Sequence, residues 1–249
     1  MLYDGFTFFN ELDILEVRLN TLDSVVDKFI LVEATKSFRG NDKALVFDQN
    51  KERFAKFLDK IIHVVVDDMP DGDNAWVREN FQRNCIARGL PKGASPDDRL
   101  MVSDADEIPR PTSVQKALQL DGIVMFLQDF YYYGFNCLGD EIWQGTRMVP
   151  LAKLKTPQEV RFAANYALKN AGWHFSYLGG VEAIITKIDQ FAHQEFNSSY
   201  YKNPERIREV IASGKDLFNR SNKWKFVEMG DSHPEYVMQN LEKFKQHIF

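Results

Sequence analysis

Residues 99–107 read RLMVSDADE and join an apolar run directly to three carboxylates. The apolar part, Arg99–Ser103, predicts a short buried strand because branched and apolar residues dominate it and polar residues follow. Asp104, Asp106 and Glu107 come straight after that strand. Ligands of open α/β sheets bind beyond the carboxyl ends of the strands, so the stretch predicts a strand of such a sheet with a polar site at its end.

Strand and helix patterns alternate in the residues before this stretch. Further strands are predicted at Phe6–Phe9, Lys28–Glu33 (KFILVE) and Ile61–Val66 (IIHVVV). Apolar residues recur at helical spacing over Leu12–Val26, with Arg18 on the polar face, and Ala75–Arg88 also has a helical pattern. Strands separated by helices of this length form right-handed βαβ units. The pattern predicts an α/β fold with a Rossmann-type, mixed but mainly parallel central sheet flanked by helices.

The second half of the chain is less regular but continues the same fold. Ile123–Leu127 and Gly172–Leu178 have strand patterns, and Val181–Ala192 keeps one apolar helical face. Strands around Phe130–Tyr133 and Arg147–Val149 are expected to pair antiparallel. The sequence contains no internal repeat, low-complexity tract or linker, so we expect one domain over residues 1–249.

Composition excludes several classes of protein. The 249 residues carry 31 Lys and Arg against 36 Asp and Glu, a net charge of −5, which makes nucleic acid a poor candidate partner. The two cysteines, Cys85 and Cys137, cannot form a disulfide framework. No apolar stretch approaches the roughly 20 residues of a transmembrane helix, and the first residues lack the basic segment of a signal peptide. We expect a cytoplasmic protein without a membrane anchor.

The acidic residues at 104–107 are the first candidate site. Carboxylates this close repel one another unless a cation compensates, and Mn²⁺ or Mg²⁺ takes oxygen ligands and can bridge to a diphosphate. The alternative is an ordinary acidic turn after a strand. His174 lies in the segment GWHFS (172–176). Its candidate roles are a third metal ligand, a contact to an acceptor substrate, and a buried histidine bonded to the backbone.

Glu182 is the second candidate. It follows Gly179 and Gly180 and lies in the first turn of a predicted helix, where the helix dipole favours a carboxylate for structural reasons alone. The functional alternative is a general base that takes a proton from an incoming hydroxyl. Asp129 is the reserve candidate for that base.

Three segments in order resemble glycosyltransferase family 17. They are FFNELDILEVRLNTLDSVVDKFILVEATKSFRG (8–40), SDADEIP (103–109) and GWHFS followed by VEAIITKI (172–188). The resemblance implies a GT-A-like fold, a nucleotide-sugar donor (UDP-N-acetylglucosamine in known members), a divalent metal and inversion at the anomeric carbon. Asp104 and Asp106 match the D-x-D pair of the family, His174 matches its G-W-H-x-S histidine and Glu182 a glutamate shortly after it. We expect a compact form without a membrane anchor, as in a bacterial or viral member.

The resemblance also divides the chain into two functional parts. Residues from 1 to about 110 are expected to bind the nucleotide-sugar, and residues from about 111 to 249 the acceptor glycan. Donor-binding candidates are Asn10, Glu11, Glu33, Arg78, Arg83 and Asp104. Metal ligands are Asp104, Asp106 and His174, and acceptor-binding candidates are Tyr132, Trp143 and Trp173. The aromatic candidates are equally compatible with core packing.

Two other functions compete with this interpretation. A sugar-1-phosphate nucleotidyltransferase shares the α/β architecture and the metal-binding acids. Such enzymes usually carry a Gly-rich basic loop after the first strand, and residues 10–13 here read NELD. A non-catalytic carbohydrate-binding protein derived from a transferase is the other alternative.

Overall fold

A single ten-stranded sheet runs through both halves of the chain in a computed structural model that describes residues 1–249. The strands are β1 (Leu2–Phe8), β2 (Lys28–Ala34), β3 (Ile61–Val66), β4 (Arg99–Asp104), β5 (Glu107–Pro109), β6 (Val124–Tyr132), β7 (Cys137–Pro150), β8 (Tyr166–Leu168), β9 (Gly172–Ser176) and β10 (Trp224–Phe226). The helices are α1 (Leu12–Leu22), α2 (Val46–Gln49), α3 (Ala75–Asn84), α4 (Pro111–Ala117), α5 (Pro157–Arg161), α6 (Gly180–Gln190), α7 (Pro204–Ser213), α8 (Glu235–Gln239) and α9 (Leu241–Phe244). None of these helices has both the length and the apolar character that crossing a membrane requires.

The strand order is β3-β2-β1-β4-β7-β6-β9-β5, with β8 beside β6 and β10 beside β7. Five of the nine pairings are parallel, including all three among the first four strands. The predicted mixed, mainly parallel sheet flanked by helices is therefore confirmed. The long strand β7 exceeds its predicted part, Arg147–Val149, because its exposed polar first half has no buried-strand pattern.

Both faces of the parallel strands are buried, which explains their continuous apolar runs. In β2, Phe29 and Leu31 belong to one apolar cluster, while Ile30 and Val32 belong to another on the opposite face. Alternate residues of a strand point to opposite faces, so one run supplies two cores. This double burial places β1, β2 and β4 in the interior, and their parallel pairing brings their carboxyl ends to one edge.

Arg18 on α1 lies in the interior rather than on the polar face that the helical pattern predicted. Its guanidinium makes a two-pronged ion pair with Asp4 on β1, with N–O distances of 2.8 and 2.6 Å. It also donates to the hydroxyl of Ser103 and to the carbonyls of Asp104, Ala105 and Glu107. The turn after β4 is thus held by a buried arginine, whose fork of donors suits this many acceptors.

Replacing Arg18 with leucine is expected to destabilise the fold by about 3–5 kcal/mol, because it leaves the Asp4 carboxylate buried without a partner. Urea unfolding at neutral pH measures this change. The control is Arg53→Leu, which breaks a partly exposed pair with Asp13 and Glu16 and is expected to cost about 1 kcal/mol or less. Equal shifts in the two variants would contradict the assignment of Arg18.

Candidate active site

A cavity of about 580 Å³ opens at the carboxyl ends of β1, β4, β6 and β9. Thr7 and Phe8 line it from β1, Asp104 from β4, Tyr132 from β6 and Ser176 from β9. This is the edge at which the sequence predicted a polar site. Both halves of the chain contribute to the walls, so the cavity is a product of the whole fold.

Asp104 is held by two arginines from different helices. Its Oδ1 accepts from Arg83 Nη2 on α3 and its Oδ2 from Arg161 Nη2 on α5, each at 3.1 Å. The hydroxyl of Thr7 donates to Oδ1 at 3.4 Å. Burial alone would raise the pKa of this carboxyl, but the charges of Arg83 and Arg161 outweigh it and lower the pKa to about 2. The carboxylate is therefore ionised at every physiological pH.

Asp106 is held by Lys187 and His174. Lys187 Nζ on α6 lies 2.9 Å from one carboxylate oxygen and His174 Nε2 lies 3.5 Å from the other. These neighbours outweigh burial and hold the pKa of Asp106 well below its usual range. Burial in turn would lower the pKa of Lys187, but Asp106 and Glu11 raise it. Asp106 and Lys187 thus form a charged pair that does not titrate near neutral pH.

Glu107 links the acidic turn to the opposite wall. The buried carboxylate accepts from both terminal nitrogens of Arg161, with Nη1 at 2.6 Å. Trp143 Nε1 on β7 donates to the same carboxylate at 2.6 Å. Arg161 therefore bridges Asp104 and Glu107, and Glu107 orients the indole of Trp143 in the cavity wall.

His174 is packed among aromatic rings. The ring stacks on Phe130 with centroids 4.6 Å apart and lies 4.3 Å from that of Trp143. Its strand pairs with β5, where His174 is the partner of Glu107. The Nδ1 atom is buried and has no hydrogen-bond partner in the protein. His174 thus faces Asp106 through Nε2, while its other nitrogen is unsatisfied.

The charges of the lining favour an anionic ligand. Seven lysine and arginine side chains line the cavity against four carboxylates: Lys36, Lys43, Arg83, Arg147, Arg161, Lys187 and Arg220 against Glu11, Glu79, Asp104 and Asp106. Clefts lined by an excess of one charge concentrate ligands of the opposite sign. The acidic motif alone would suggest a negative site, but the folded cavity is net positive.

In this structure, protein cations pair with both carboxylates that the sequence predicted as metal ligands. Asp104, Asp106 and His174 all line the cavity, yet each carboxylate is already neutralised by protein cations. No three His, Cys, Asp or Glu side chains converge in a way that would hold an ion. A cation would have to compete with Lys187 for Asp106.

The structure brings half of the predicted donor-binding residues to the cavity. Glu11, Arg83 and Asp104 line it, whereas Asn10 is exposed beside it and Glu33 and Arg78 lie elsewhere in the interior. The six positions come from strands, loops and α3, and three of their side chains reach the cavity.

Glu33 and Arg78 have structural partners that the sequence did not reveal. The Glu33 carboxylate accepts from the backbone N–H of Phe47 and lies 3.1 Å from His63 Nε2. Arg78 donates to the carbonyls of Phe38 and Gly72 and so connects the loops that contain these two residues. Both side chains form hydrogen bonds with buried polar groups of the protein. Their role in this structure is therefore structural rather than contact with the cavity.

The predicted catalytic carboxylates lie outside the cavity. Glu182 is exposed on α6, and Asp129 pairs with Arg110 at 3.3 Å on the other face of the sheet. Of the predicted acceptor residues, Tyr132 and Trp143 line the cavity. Trp173 is buried on the opposite face and donates to the Ser232 carbonyl. Trp173 and His174 are neighbours on one strand, so only one of them can face the cavity.

Arg161 and Lys187 are two charged site residues that the sequence does not single out. Arg161 ends a short helix whose start was recognisable from Thr156 and Pro157, and Lys187 lies in the predicted helix of VEAIITKI. A lone basic residue on a helix is usually a solvated one, so neither position stands out. An acidic cluster that must be neutralised is the signal that predicts such partners.

Comparison with known proteins gives the class of the chain. The model of Glycosyltransferase family 17 matches residues 1–246. The protein is therefore of the glycosyltransferase class, and the chain belongs to glycosyltransferase family 17.

The chain is also similar to individual curated proteins. The β-1,4-mannosyl-glycoprotein 4-β-N-acetylglucosaminyltransferases of Rattus norvegicus and Mus musculus are 29% and 28% identical, each over 95% of this chain and 52% of their own length. The chain thus spans about half the length of these relatives.

Two solved structures have low similarity to this chain. HddC from Yersinia pseudotuberculosis, complexed with GMP-PN, has a TM-score of 0.36 at 10% identity and covers 71% of this chain and 90% of its own. The inositol-1-phosphate CTP transferase from T. maritima has a TM-score of 0.37 at 8% identity and covers 100% and 97%. At TM-scores below 0.5, these likenesses carry no weight for the activity.

Arg161→Met is expected to make the protein less stable at pH 7 but to change its stability little near pH 2. The pKa of Asp104 is lowered in the folded state, so its ion pairs stabilise the fold above the ordinary value near 4 and lose that effect as pH falls through about 2. Urea unfolding of both proteins between pH 7 and pH 2 measures the gap. A gap that stays constant with pH would contradict an electrostatic role.

Proposed function

We propose that the protein transfers N-acetylglucosamine from UDP-N-acetylglucosamine to a hydroxyl of a glycan, with inversion at the anomeric carbon. The observation that carries this proposal is the net positive cavity at the carboxyl ends of the parallel strands, in a chain of glycosyltransferase family 17. The sugar and the glycan acceptor are taken from the names of the curated relatives, which act as N-acetylglucosaminyltransferases.

The diphosphate of the donor would lie among Arg83, Arg161 and Lys187. Their carboxylate partners hold these cations at fixed positions around the acidic turn. When the glycosidic bond of the donor breaks, negative charge grows on the leaving UDP. Cations that are already in place stabilise this charge without reorganising, which is usually the largest single contribution to catalysis.

The nucleoside would lie over the ends of β1 and β2. Glu11 lines this part of the cavity, and its carboxylate accepts from the backbone N–H groups of Phe9 and Asn10. Lys43 also lines it, 5.5 Å above the ring of Phe9. Opposite, the half-buried ring of Trp143 would face the acceptor side, with the buried ring of Tyr132 also in the cavity wall.

The proposed base is Glu182. Since its carboxylate faces solvent outside the cavity, the role requires α6 to shift or turn when the acceptor binds. Lys187 lies on the same helix, so such a movement would be coupled to the contact with Asp106. If α6 does not move, a carboxylate that already lines the cavity, such as Glu79, is the better placed base.

The first test is release of UDP from UDP-N-acetylglucosamine, compared with other nucleotide-sugars. We expect release that accelerates with a neutral glycan acceptor and a product of inverted anomeric configuration by NMR. Lys187→Met is expected to lower the rate about 10²–10³-fold because it removes charge stabilisation. The control is Lys202→Met, which removes a lysine paired with Asp189 outside the cavity.

Three results would count against the proposal. Formation of a nucleotide-sugar from a sugar phosphate would indicate a nucleotidyltransferase, and sugar binding without turnover would indicate a carbohydrate-binding protein. Equal rates in the two lysine variants would show that the cavity is not the site of the reaction.

In the same assay, Glu182→Gln is expected to slow transfer about 10²–10⁴-fold while donor binding stays intact. Unchanged transfer would assign the role of general base to a carboxylate that lines the cavity.

The proposal includes a divalent cation, Mn²⁺ or Mg²⁺, on the basis of the D-x-D resemblance. Lys187 forms an ion pair with Asp106 and so competes with a metal ion for its carboxylate. Lys187→Met is therefore expected to tighten Mn²⁺ binding, and Asp106→Asn to weaken it. Titration calorimetry with MnCl₂ alone measures both changes. Full transfer activity in EDTA, together with no Mn²⁺ binding by the natural protein or by Lys187→Met, would contradict the proposal that a divalent cation is bound.

A further inference from the structure

Two aromatic side chains of the cavity lining are exposed to solvent. Phe162 is 79% exposed, more than any other large apolar side chain in the chain, and Trp76 is 42% exposed. Both line the cavity, so they lie where it opens to solvent. Exposed apolar surface at a cavity is a feature of ligand-binding grooves, and neither ring was among the residues that the sequence indicated.

Both rings are attached to well-anchored backbone. Phe162 follows Arg161, whose guanidinium holds Asp104 and Glu107, and its backbone N–H donates to the carbonyl of Glu159. Trp76 lies in the first turn of α3, where the side chain of Asn74 accepts from its backbone N–H at 3.0 Å. A binding surface on anchored elements loses little conformational entropy when a ligand arrives.

The two rings are also tied to the parts of the site already described. His193 packs edge-on against Trp76 with centroids 4.6 Å apart. Through Arg161 and Glu107, Phe162 is connected to Trp143, the aromatic residue of the cavity wall. The opening therefore carries aromatic surface on elements that also position the cationic floor.

The chemistry of the two regions differs, and this difference selects the ligand. The floor is positive and suits a diphosphate, whereas Phe162 and Trp76 present uncharged rings. The apolar faces of a pyranose ring pack on aromatic faces, and such packing needs no charge on the sugar. In the proposed function the donor is held at the floor through its phosphates, which leaves the rings at the opening to the neutral substrate, the acceptor.

We propose that Phe162 and Trp76, which both line the opening of the cavity, form an acceptor subsite in which each ring packs against a neutral sugar ring. This inference rests on the proposed function, because the acceptor is a glycan only if the protein is a glycosyltransferase acting on one. It adds the residues that select the acceptor and the property they select, an uncharged pyranose.

The kinetic test uses UDP-N-acetylglucosamine with methyl β-D-mannoside and methyl β-D-N-acetylglucosaminide as acceptors. Methyl glycosides are chosen because an aromatic aglycone would itself stack on the rings. Phe162→Leu and Trp76→Leu keep apolar bulk but lose the aromatic face, and each is expected to raise the acceptor KM about three- to tenfold. The donor KM and the UDP release in the absence of acceptor are expected to stay unchanged.

The variants have matched controls. Tyr166→Leu removes an aromatic ring that is 43% exposed outside the cavity, and Phe162→Tyr retains the aromatic face at the subsite. Both are expected to behave like the natural protein. Unchanged acceptor KM in Phe162→Leu and Trp76→Leu would overturn the subsite. A rise in acceptor KM seen only with a glycoprotein acceptor would also overturn it, because the two rings would then bind the polypeptide rather than the sugar.

A binding measurement separates this inference from the proposed function. Trp76 is the exposed tryptophan of the four in the chain, since Trp143, Trp173 and Trp224 are buried or half-buried. Methyl β-D-mannoside is expected to shift its fluorescence and protect it from acrylamide, with loss of the signal in Trp76→Phe. Binding without transfer would refute the proposed function and keep the sugar subsite. Transfer without protection of Trp76 would refute the subsite alone.

Discussion

The buried ion pair between Arg18 and Asp4 is the interaction on which the rest of the structure depends. Asp4 belongs to β1, Arg18 to α1, and the carbonyls that Arg18 binds belong to the turn after β4. One guanidinium therefore joins a central strand, the first helix and the acidic turn in the interior. A lysine could not replace it, because a single ammonium lacks the planar fork that serves a carboxylate and several carbonyls together.

From this anchored turn, the side chains of the site point outward to meet cations from other elements. Asp104 meets arginines of α3 and α5, and Asp106 meets the lysine of α6. The charges neutralise one another in pairs, which is how a cluster of carboxylates can be kept ionised with little water around it. The same pairs hold the cations in place, so the acidic motif organises a positive site.

The sequence was informative where function follows from local pattern. The apolar run 99–103 and the acids after it predicted the strand and a polar site at the edge of the sheet, where Asp104 and Asp106 line the cavity. It was less informative about partners, because Arg161 and Lys187 reach the site only through tertiary packing. Helical periodicity predicts a surface position for Arg18 because it treats every charged residue as polar, whereas a paired arginine can be buried. Strand alternation, if applied to GWHFS, would have separated Trp173 from His174.

The pairing of β5 with β9 imposes a limit on how the family segment SDADEIP can vary in length. Glu107 begins β5 directly after the turn and lies opposite His174, so only two residues separate the end of β4 from the next strand. Adding one residue there would shift β5 by one position and turn Glu107 to the other face of the sheet. Arg161 and Trp143 would then lose their shared acceptor. Insertions in natural relatives should therefore fall in the loops around this segment and spare the turn itself.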